Sequence, residues 1–293
     1  MDGVLNIHKP SGMTSHDVVL ALRRTLREKR IGHTGTLDPQ ATGVLVLCIG
    51  KATRIAQYLE AGEKEYRAVM RLGITTDTLD AAGRVLETRA YAPLTRARIE
   101  TALRRFTGAI MQQPPVYSAL KVNGVPSYKL ARQGKAEPLK PRPVTIYDIA
   151  LTALEDPFIS FTVRCSKGVY VRTLCADIGE ALGMGAHLTA LTRTRSGRFI
   201  IEQSMAPDQL EAMAAAGRAE EALVPISASL ADFPLLELGA AEAQRVQHGN
   251  QVPCPTFLND RQGELVRLED APGTLLALAR IAAGVLKPEL VFS

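Results

Sequence analysis

The stretch at residues 32–45 limits the possible folds more than any other part of the chain. Its three glycines allow backbone angles that other residues avoid, and Pro39 lacks a backbone donor, so no helix or strand is expected to run through it. We expect a loop between a basic segment, residues 23–30, and an apolar run, residues 44–49, that is short enough for a buried strand. Composition alone favours an ordinary turn, but the aspartate in the loop, Asp38, is an acid in a setting that often has a functional role.

Composition places the chain among folded globular proteins. Its 293 residues, 46% of them hydrophobic and 22% charged, suffice for one large domain or for a large and a small one. It has no apolar run of 18 residues, and its N-terminus lacks the plan of a signal peptide, so we expect a cytoplasmic protein and no membrane span. The four cysteines lie far apart without a Cys-x-x-Cys pair, and we expect reduced core thiols, with no metal site or disulfide framework.

Hydrophobic periodicity predicts both strands and helices in the first part of the chain, followed by a small β-rich C-terminal part. The expected strands include Lys64–Leu72, which alternates apolar and polar residues, and the β-branched or aromatic segments 144–151 and Phe158–Cys165. The expected helices include residues 95–106 and the segment through Leu174, Ile178 and Leu182.

Two local expectations concern the surroundings of the loop. Ser15 is expected to cap the basic helix that precedes it. Residues 75–83 are polar and rich in turn formers, and they are expected to form a loop. Its two acids, Asp77 and Asp80, are too few for a site that binds a hard cation.

Positive charge is unevenly distributed along the chain. The net charge is +5, whereas residues 233–293 carry five basic and seven acidic residues, so the first 232 residues carry +7. Segment 113–143 is rich in proline and holds six basic residues, one acid and two tyrosines, Tyr117 and Tyr128. Such a segment is typical of an arm that grips nucleic acid, and an exposed connector has a similar composition.

Five short motifs occur in the order found in one known family. The first is the loop itself, GHTGTLDPQATGVL at 32–45. The others are KEYR at 64–67, QPPVYSALK at 113–121, CSKGVYVRT at 165–173 and GAHLTAL at 185–191. With these motifs, the chain resembles the TruB-type tRNA pseudouridine synthases over nearly its whole length. The loop alone would be a weak signal, but five ordered motifs with family-like spacing are specific.

The resemblance implies an isomerase that converts uridine 55 in the TΨC arm of tRNA to pseudouridine. It assigns the essential carboxylate to Asp38, the tyrosine that stacks on the target base to Tyr66, and the arginine that pairs with the carboxylate to Arg172. The residues that it places around the flipped nucleotide are His33, Tyr170 and Leu191.

The resemblance also implies the pseudouridine-synthase fold, which is α+β with a large mixed, mostly antiparallel sheet and flanking helices, and it implies a domain organisation. Residues 1–232 are expected to form the catalytic domain, with an RNA-gripping insertion called the thumb at about 109–143. Residues 233–293 are expected to form a PUA-like RNA-binding domain. The basic residues of the thumb that are expected to bind RNA are Lys121, Lys129 and Arg132. The expected partner is tRNA, bound through its T stem-loop by a monomer that needs no cofactor.

One departure from the family pattern lies near the N-terminus. Family members commonly read Asp-Lys-Pro where this chain has His8, Lys9 and Pro10. We expect Lys9 to contact phosphate, and an ordinary surface lysine is the equal alternative.

The chemistry leaves several routes open. A carboxylate can attack C1′ of the sugar or C6 of the base, or take a sugar proton in a glycal route. A hydrolase that uses Asp38 and His33 is an alternative function, but no oxyanion or metal arrangement accompanies these residues. A non-catalytic RNA-binding protein or tRNA chaperone is a second alternative, and the joint presence of Asp38, Tyr66 and Arg172 argues against it.

Overall fold

A computed structural model describes residues 1–271 and 273–292. Its strands are β1 (Gly3–Lys9), β2 (Ile31–His33), β3 (Thr42–Ile49), β4 (Lys64–Leu72), β5 (Ile74–Thr76), β6 (Val85–Thr88), β7 (Gly108–Gln112), β8 (Lys121–Val122), β9 (Val125–Pro126), β10 (Arg142–Glu155), β11 (Phe158–Cys165), β12 (Ala186–Ser196), β13 (Phe199–Ile200), β14 (Leu235–Leu238), β15 (Val252–Pro253), β16 (Leu265–Asp270), β17 (Leu275–Ala282) and β18 (Val285–Val291).

The helices lie mainly around these strands. They are α1 (Ser15–Thr25), α2 (Ala56–Glu60), α3 (Arg96–Arg104), α4 (Ser127–Arg132), α5 (Val171–Ala181), α6 (Pro207–Ala215), α7 (Ile226–Ser229) and α8 (Ala240–Gln247). Turns of 3-10 helix lie at Gly50–Ile55, Ile201–Gln203, Ala219–Ala222 and Thr256–Arg261.

The described residues form a mixed nine-stranded sheet with the strand order β1-β3-β12-β4-β11-β10-β7, to which β2 and β13 add at the side. Its neighbouring strands are antiparallel except β3 and β12, which run parallel at Thr192↔Thr42 and Arg193↔Gly43. A five-stranded sheet follows, with the order β14-β16-β17-β18-β15. The predicted α+β class, with a mostly antiparallel main sheet and a β-rich C-terminal part, is therefore confirmed.

The apolar run of β3 is continuous because both faces of this strand are covered. Its odd-numbered residues, such as Leu45, pack with α1. Its even-numbered residues, such as Val46, pack in a cluster that also contains Leu275 and Leu278 of the C-terminal sheet. A strand buried on both faces has no polar side to show in the sequence. The C-terminal sheet therefore packs against the nine-stranded sheet, as expected for a part too small to bury a large core alone.

Strand β4, in contrast to β3, buries mainly one of its two faces. Tyr66, Ala68, Met70 and Leu72 are buried in a core cluster with α3 and α5, whereas Arg67 on the other face is exposed. The predicted strand boundaries at Lys64 and Leu72 are confirmed. This register places Tyr66 on the same face as the helix that carries Arg172.

Three local expectations differ from the structure. Helix α1 is capped by Thr14, whose hydroxyl accepts a hydrogen bond from the backbone N–H of Asp17 at 3.0 Å, so the prediction of Ser15 as the cap is wrong. Segment 75–83 is only partly a loop, because β5 enters it and pairs with β6. Strands β7 and β10 pair from Gly108 to Gln112, so the basic excursion from the main sheet covers residues 113–141 rather than about 109–143.

Within the described part of the chain, all four cysteines are free thiols. Cys48, Cys165 and Cys175 are buried, and Cys254 is half-buried. Among residues 1–271 and 273–292, no helix has the length and apolar character needed to cross a membrane.

Candidate active site

The loop that carries Asp38 is fastened on both sides of the aspartate. The hydroxyl of Ser15 is buried; it accepts a hydrogen bond from the Leu37 N–H at 2.8 Å and lies 3.2 Å from the Leu37 carbonyl, to which it donates. On the other side, Nζ of Lys9 donates to the carbonyl of Pro39 at 3.1 Å. The direction of the Asp38 side chain is therefore set by residues from outside its own loop.

Lys9 is fully buried at the end of β1, and the prediction that it contacts phosphate is wrong. Its ammonium donates to the carbonyls of Pro10 at 2.8 Å, Met13 at 2.6 Å and Pro39 at 3.1 Å. Burial lowers its pKa to about 8. The three carbonyls use the three donors of an ammonium group, so Lys9 supports the loop and has no donor left for a ligand.

Asp38 and Arg172 form a two-point ion pair. Nε of Arg172 lies 2.8 Å from Oδ2 of Asp38, and Nη2 lies 3.1 Å from Oδ1. The side chain of Arg172 is only 6% exposed, whereas that of Asp38 is 39% exposed. The guanidinium is thus buried, whereas the carboxylate is partly exposed, so a substrate can reach it. The structure brings together the two residues that the resemblance paired.

Arg172 also joins two other segments to the site. Its Nη1 donates to the carbonyl of Thr78 at 3.2 Å and lies 3.7 Å from a carboxylate oxygen of Asp80. Its Nη2 donates to the carbonyl of Tyr117 at 2.9 Å, at the root of the basic excursion. Because the fork geometry of arginine fixes all these partners at once, Arg172 holds the Asp38 loop, the 75–83 segment and the excursion in one arrangement.

The ionisation of Asp38 reflects two opposing effects. Burial raises the pKa of its carboxyl above the ordinary value, and the nearby charge of Asp80 acts in the same direction. The Arg172 guanidinium opposes both by favouring the charged form. The carboxylate is therefore more basic than a free aspartate while still being held as an anion, which suits a nucleophile or a base.

Tyr66 lies at the floor of the site. It is 8% exposed and belongs to the core cluster that contains Leu37 from the Asp38 loop. Burial raises the pKa of its phenol, and the nearby Arg193 guanidinium opposes this effect. Leu191, from the neighbouring strand β12, is half-buried and packs against the same cluster.

The backbone of Tyr170 is held by a side chain from the root of the excursion. Gln112 is 1% exposed; its amide oxygen accepts from the Tyr170 N–H at 2.8 Å, and its amide nitrogen donates to the Tyr170 carbonyl at 3.1 Å. This double contact fixes the start of helix α5, which begins at the next residue and carries Arg172. Tyr170 itself is half-buried beside the ion pair.

His33 and Asp38 each interact with a different group. Nδ1 of His33 accepts a hydrogen bond from the Gly35 N–H at 3.3 Å within its own loop. Burial lowers the pKa of His33, and the charge of Arg193 lowers it further, so its imidazole is neutral at physiological pH. A hydrolase would need its base directed at its nucleophile, and this geometry does not favour that function.

The basic residues predicted to bind RNA project from the excursion. Lys121 in β8 and both Lys129 and Arg132 in α4 are exposed. The guanidinium of Arg132 lies 5.6 Å from the ring centroid of Tyr128 in a cation–π contact. Ser127 at the start of α4 donates hydrogen bonds to the carbonyls of Val116 and Leu120, and these residues flank Tyr117, whose carbonyl accepts from Arg172.

Three residues that shape the site were missed by sequence reasoning. In the sequence, Asp80 stands out only as a candidate metal ligand. Its position beside Arg172 depends on the fold. Gln112 directly precedes the QPPVYSALK motif, and Arg193 follows GAHLTAL by two residues, so both lie just outside the recognised blocks. Within residues 1–271 and 273–292, no group of three or more His, Cys, Asp or Glu side chains is arranged to hold a metal ion.

Comparison with known proteins identifies the family of the chain. The profile described as TruB family pseudouridylate synthase (N terminal domain) matches residues 23–171, which is half of the chain. The tRNA pseudouridylate synthase B C-terminal domain matches residues 172–231, and Pseudouridine synthase II TruB, C-terminal, matches residues 234–292. The chain belongs to the TruB family.

Curated TruB relatives match over nearly the full length. A tRNA pseudouridine synthase B of Burkholderia lata is 47% identical over 291 residues, covering 99% of this chain and 89% of the relative. Another, from Geotalea uraniireducens, is 46% identical over 287 residues, covering 96% of this chain and 92% of the relative.

Solved structures share the fold described above. A crystal structure of a Cbf5-Nop10-Gar1 complex contains a chain with 28% identity and a TM-score of 0.79. A structure of an H/ACA RNP bound to a substrate RNA containing 2′-deoxyuridine contains one with 26% identity and a TM-score of 0.76. Each match covers 99% of this chain and 85% of the other.

Proposed function

We propose that this protein isomerises uridine 55 in the T stem-loop of tRNA to pseudouridine, with Asp38 as the essential carboxylate. Membership of the TruB family supports uridine isomerisation in tRNA. The observation that carries the proposal is the Asp38–Arg172 pair, whose two contacts of 2.8 and 3.1 Å favour the ionised form of a partly exposed carboxylate. We further propose that the protein acts as a monomer in the cytoplasm.

The reaction breaks the N1–C1′ bond, turns the uracil, joins C5 to C1′ and removes the proton from C5. The target base must leave its stack before Asp38 can reach it. An aromatic face under the flipped base can contribute about 1–3 kcal/mol of stacking free energy. Tyr66 offers such a face on the floor of the site, with Leu191 and Tyr170 beside it. The isomerisation consumes no external electron or group, so we propose no cofactor.

The two alternative functions have less support. The hydrolase hypothesis needs His33 to act on Asp38, but Nδ1 of His33 accepts a hydrogen bond from the Gly35 N–H, and no hydrogen bond joins the two side chains among the described residues. A purely RNA-binding protein would have no need of a half-exposed carboxylate held at two points by a buried arginine. Chaperone activity on tRNA is compatible with catalysis and would use the same basic surface.

The proposed function is divided between two domains. We propose residues 1–232 as the catalytic domain and residues 233–293 as a PUA-like domain, since the second sheet begins at Leu235. The acidic balance of the second part favours a few local RNA contacts over a broad electrostatic surface.

The test is to incubate an unmodified tRNA transcript with the protein and to locate pseudouridine by carbodiimide treatment and primer extension. We expect one strong stop that reports position 55. A transcript with cytidine at position 55 should show no new stop. A stop at another uridine would overturn the assigned position while leaving the isomerase activity intact, and no stop in any tRNA would overturn the proposed function.

The excursion is expected to supply a large part of the salt-dependent affinity for tRNA. Replacing Lys121, Lys129 and Arg132 together by glutamine removes three exposed positive charges from the excursion. Each phosphate contact contributes about one unit to the slope of log K against log salt concentration. We expect the slope to fall by up to about three units, measured by filter binding over a range of KCl concentrations.

The matched control removes the same number of exposed charges from the C-terminal sheet domain. Arg245, Arg261 and Lys287 are exposed there and lie outside the excursion. Their replacement by glutamine should leave most of the slope unchanged. Equal slopes for the excursion variant and the wild type would contradict the role of these residues as the RNA-gripping thumb.

A further inference from the structure

Arg193 is a buried cation at the junction of three strands. It is 2% exposed in β12, and it is the direct cross-strand partner of Tyr66 in β4. Its Nε donates to the carbonyl of Val44 at 2.7 Å, and its Nη2 donates to the carbonyl of Gly35 at 3.1 Å. Both acceptors are main-chain groups at the two ends of the Asp38 loop region, so the guanidinium has a fixed position that does not depend on a mobile side chain.

The close approach of β3 to β12 depends on Gly43, which pairs with Arg193. Gly43 has φ of +98°, and a Cβ added there would collide with the backbone of Arg193. The strands therefore pair more closely than any other residue at position 43 would allow. This pairing brings the Asp38 loop and the Arg193 guanidinium to the same level of the sheet.

Arg193 and Tyr66 are direct cross-strand partners, so their side chains lie on the same face of the sheet. The guanidinium favours the charged form of the phenol, against the effect of burial on the Tyr66 pKa. The other titratable groups that face this region are Asp38, Lys9, Lys64, His33 and Cys165. The charge of Arg193 also lowers the pKa values of Lys9, Lys64 and His33. Arg193 thus makes the floor of the site electropositive directly under the proposed base-binding face.

We propose that Arg193 is a positioning residue that fixes the Tyr66 hydroxyl at the floor of the site and stabilises its anionic form for proton transfer from the uracil. The inference rests on the proposed function and on the proposed place of Tyr66 against the base. It adds a specific assignment, in which Arg193 acts through Tyr66 and does not touch the RNA.

The step that needs this arrangement follows the formation of the C5–C1′ bond. C5 then carries both the sugar and a hydrogen atom. The C5–H bond breaks, its electron pair forms the C5–C6 double bond, and the C6–N1 π pair moves to N1, which takes a proton from solvent. A Tyr66 phenolate accepts the C5 proton and returns it to solvent, so the reaction remains a net isomerisation.

The test compares two arginines on one strand. Arg193→Gln removes the buried cation, and Arg193→Lys keeps the charge without the fork. Arg195 lies two residues further on β12, is 39% exposed and pairs with Glu65 at 3.1 Å, so Arg195→Gln and Arg195→Lys are matched controls. All variants are assayed under single-turnover conditions with a transcript tritiated at C5 of uridine, and tRNA affinity is measured separately.

We expect Arg193→Gln to lower the single-turnover rate by about 10²-fold, the lower range for general acid–base catalysis, with little change in tRNA affinity. Arg193→Lys should recover part of this loss, and the Arg195 variants should retain wild-type rates. The decisive variant is Tyr66→Phe combined with Arg193→Gln. Because Arg193 acts through the Tyr66 hydroxyl, Arg193→Gln should have little further effect once that hydroxyl is absent.

The pH profile provides a readout that a loss of packing would not give. In Arg193→Gln, the rise of the rate with pH should move to higher pH, because the anionic phenol has lost its cation. In Tyr66→Phe, the same substitution of Arg193 should leave the profile unmoved, even though the pKa values of Lys9, Lys64 and His33 change in both backgrounds. If Arg193→Gln fails to fold, Arg193→Lys is used in the same cycle.

The possible results distinguish the role of Arg193, the role of the Tyr66 hydroxyl and the proposed function. Fully multiplicative losses in the double variant would overturn the inference about Arg193, while leaving the role of Tyr66 in place. A wild-type rate for Tyr66→Phe would overturn both the role of its hydroxyl and the inference. Absence of tritium release by the wild-type protein would instead refute the proposed function.

Discussion

Asp38→Asn is expected to lower pseudouridine formation by about 10⁴-fold or more, because it removes the only group that the proposed mechanism uses against C1′, C6 or the sugar proton. Asparagine keeps the shape of the side chain but is neither a nucleophile nor a base. The affinity for tRNA should change little, because the basic excursion lies outside the loop. The rate is measured by release of tritium from C5, and the affinity by filter binding.

The control for this substitution is Asp148→Asn. Asp148 is an exposed carboxylate in β10, and its replacement makes the same chemical change at a residue outside the Asp38 loop. It should keep the wild-type rate. Thermal unfolding of both variants shows whether loss of the ion pair also weakens the fold. A rate within tenfold of the wild type for Asp38→Asn would contradict the proposed role of this carboxylate.

Arg172 is expected to show a large effect on both activity and stability. Arg172→Met leaves the carbonyls of Thr78 and Tyr117 without their donor and leaves Asp38 without its cation. Leaving two carbonyls without a donor and a partly exposed carboxylate without its cation is expected to lower the free energy of unfolding by about 1–3 kcal/mol. Arg172→Lys keeps the charge but cannot reach all of these acceptors, and misplacement of the carboxylate by about 1 Å is expected to lower the rate by about 10²-fold.

The pH dependence of these variants has a definite sign. Asp38 acts as an anion, so the rate should fall when the pH drops through the pKa of its carboxyl. Burial raises this pKa, and Arg172 opposes the rise. Removal of Arg172 should therefore raise the pKa further and move the acid limb of the rate profile to higher pH. Identical acid limbs in Arg172→Met and the wild type would show that Asp38 is not the group that titrates.

Arg164→Lys is the matched control for Arg172→Lys. Arg164 also pairs with a carboxylate, Glu63, at 3.0 Å, but its side chain is 39% exposed. Exposed ion pairs contribute about 0–1 kcal/mol, so neither the rate nor the unfolding temperature should change much. A similar loss in both variants would mean that the effect at position 172 comes from the general loss of an arginine.

Local periodicity was sufficient to predict much of the fold. The alternation at 64–72 and the continuous apolar run at 44–49 each follow directly from how many faces of the strand are buried. The helix through Leu174 and Ile178 is amphipathic for the same reason. These elements were predictable because burial is repeated along each of them, so every residue adds to the same signal.

Contacts between distant segments were not predictable in this way. Asp38 and Arg172 are separated by 134 positions, and only the resemblance to a family paired them. Lys9 was expected at the surface because lysine is rarely buried, and its burial depends on three carbonyls that the fold collects around it. Asp80 reaches the site because the β5–β6 hairpin turns it toward Arg172, and no local pattern reports that turn.

The cations of the site are held mostly by the main chain, and this affects how the protein can vary. Apart from the Asp38 and Asp80 carboxylates beside Arg172, the acceptors of Lys9, Arg172 and Arg193 are carbonyls of Pro10, Met13, Pro39, Thr78, Tyr117, Val44 and Gly35. Every amino acid supplies such a carbonyl, so a side-chain substitution at Thr78 or Tyr117 leaves the acceptor in place. A mutational scan would therefore report these positions as tolerant, and replacing the amide that follows each carbonyl by an ester, which weakens the acceptor, would reveal their contribution.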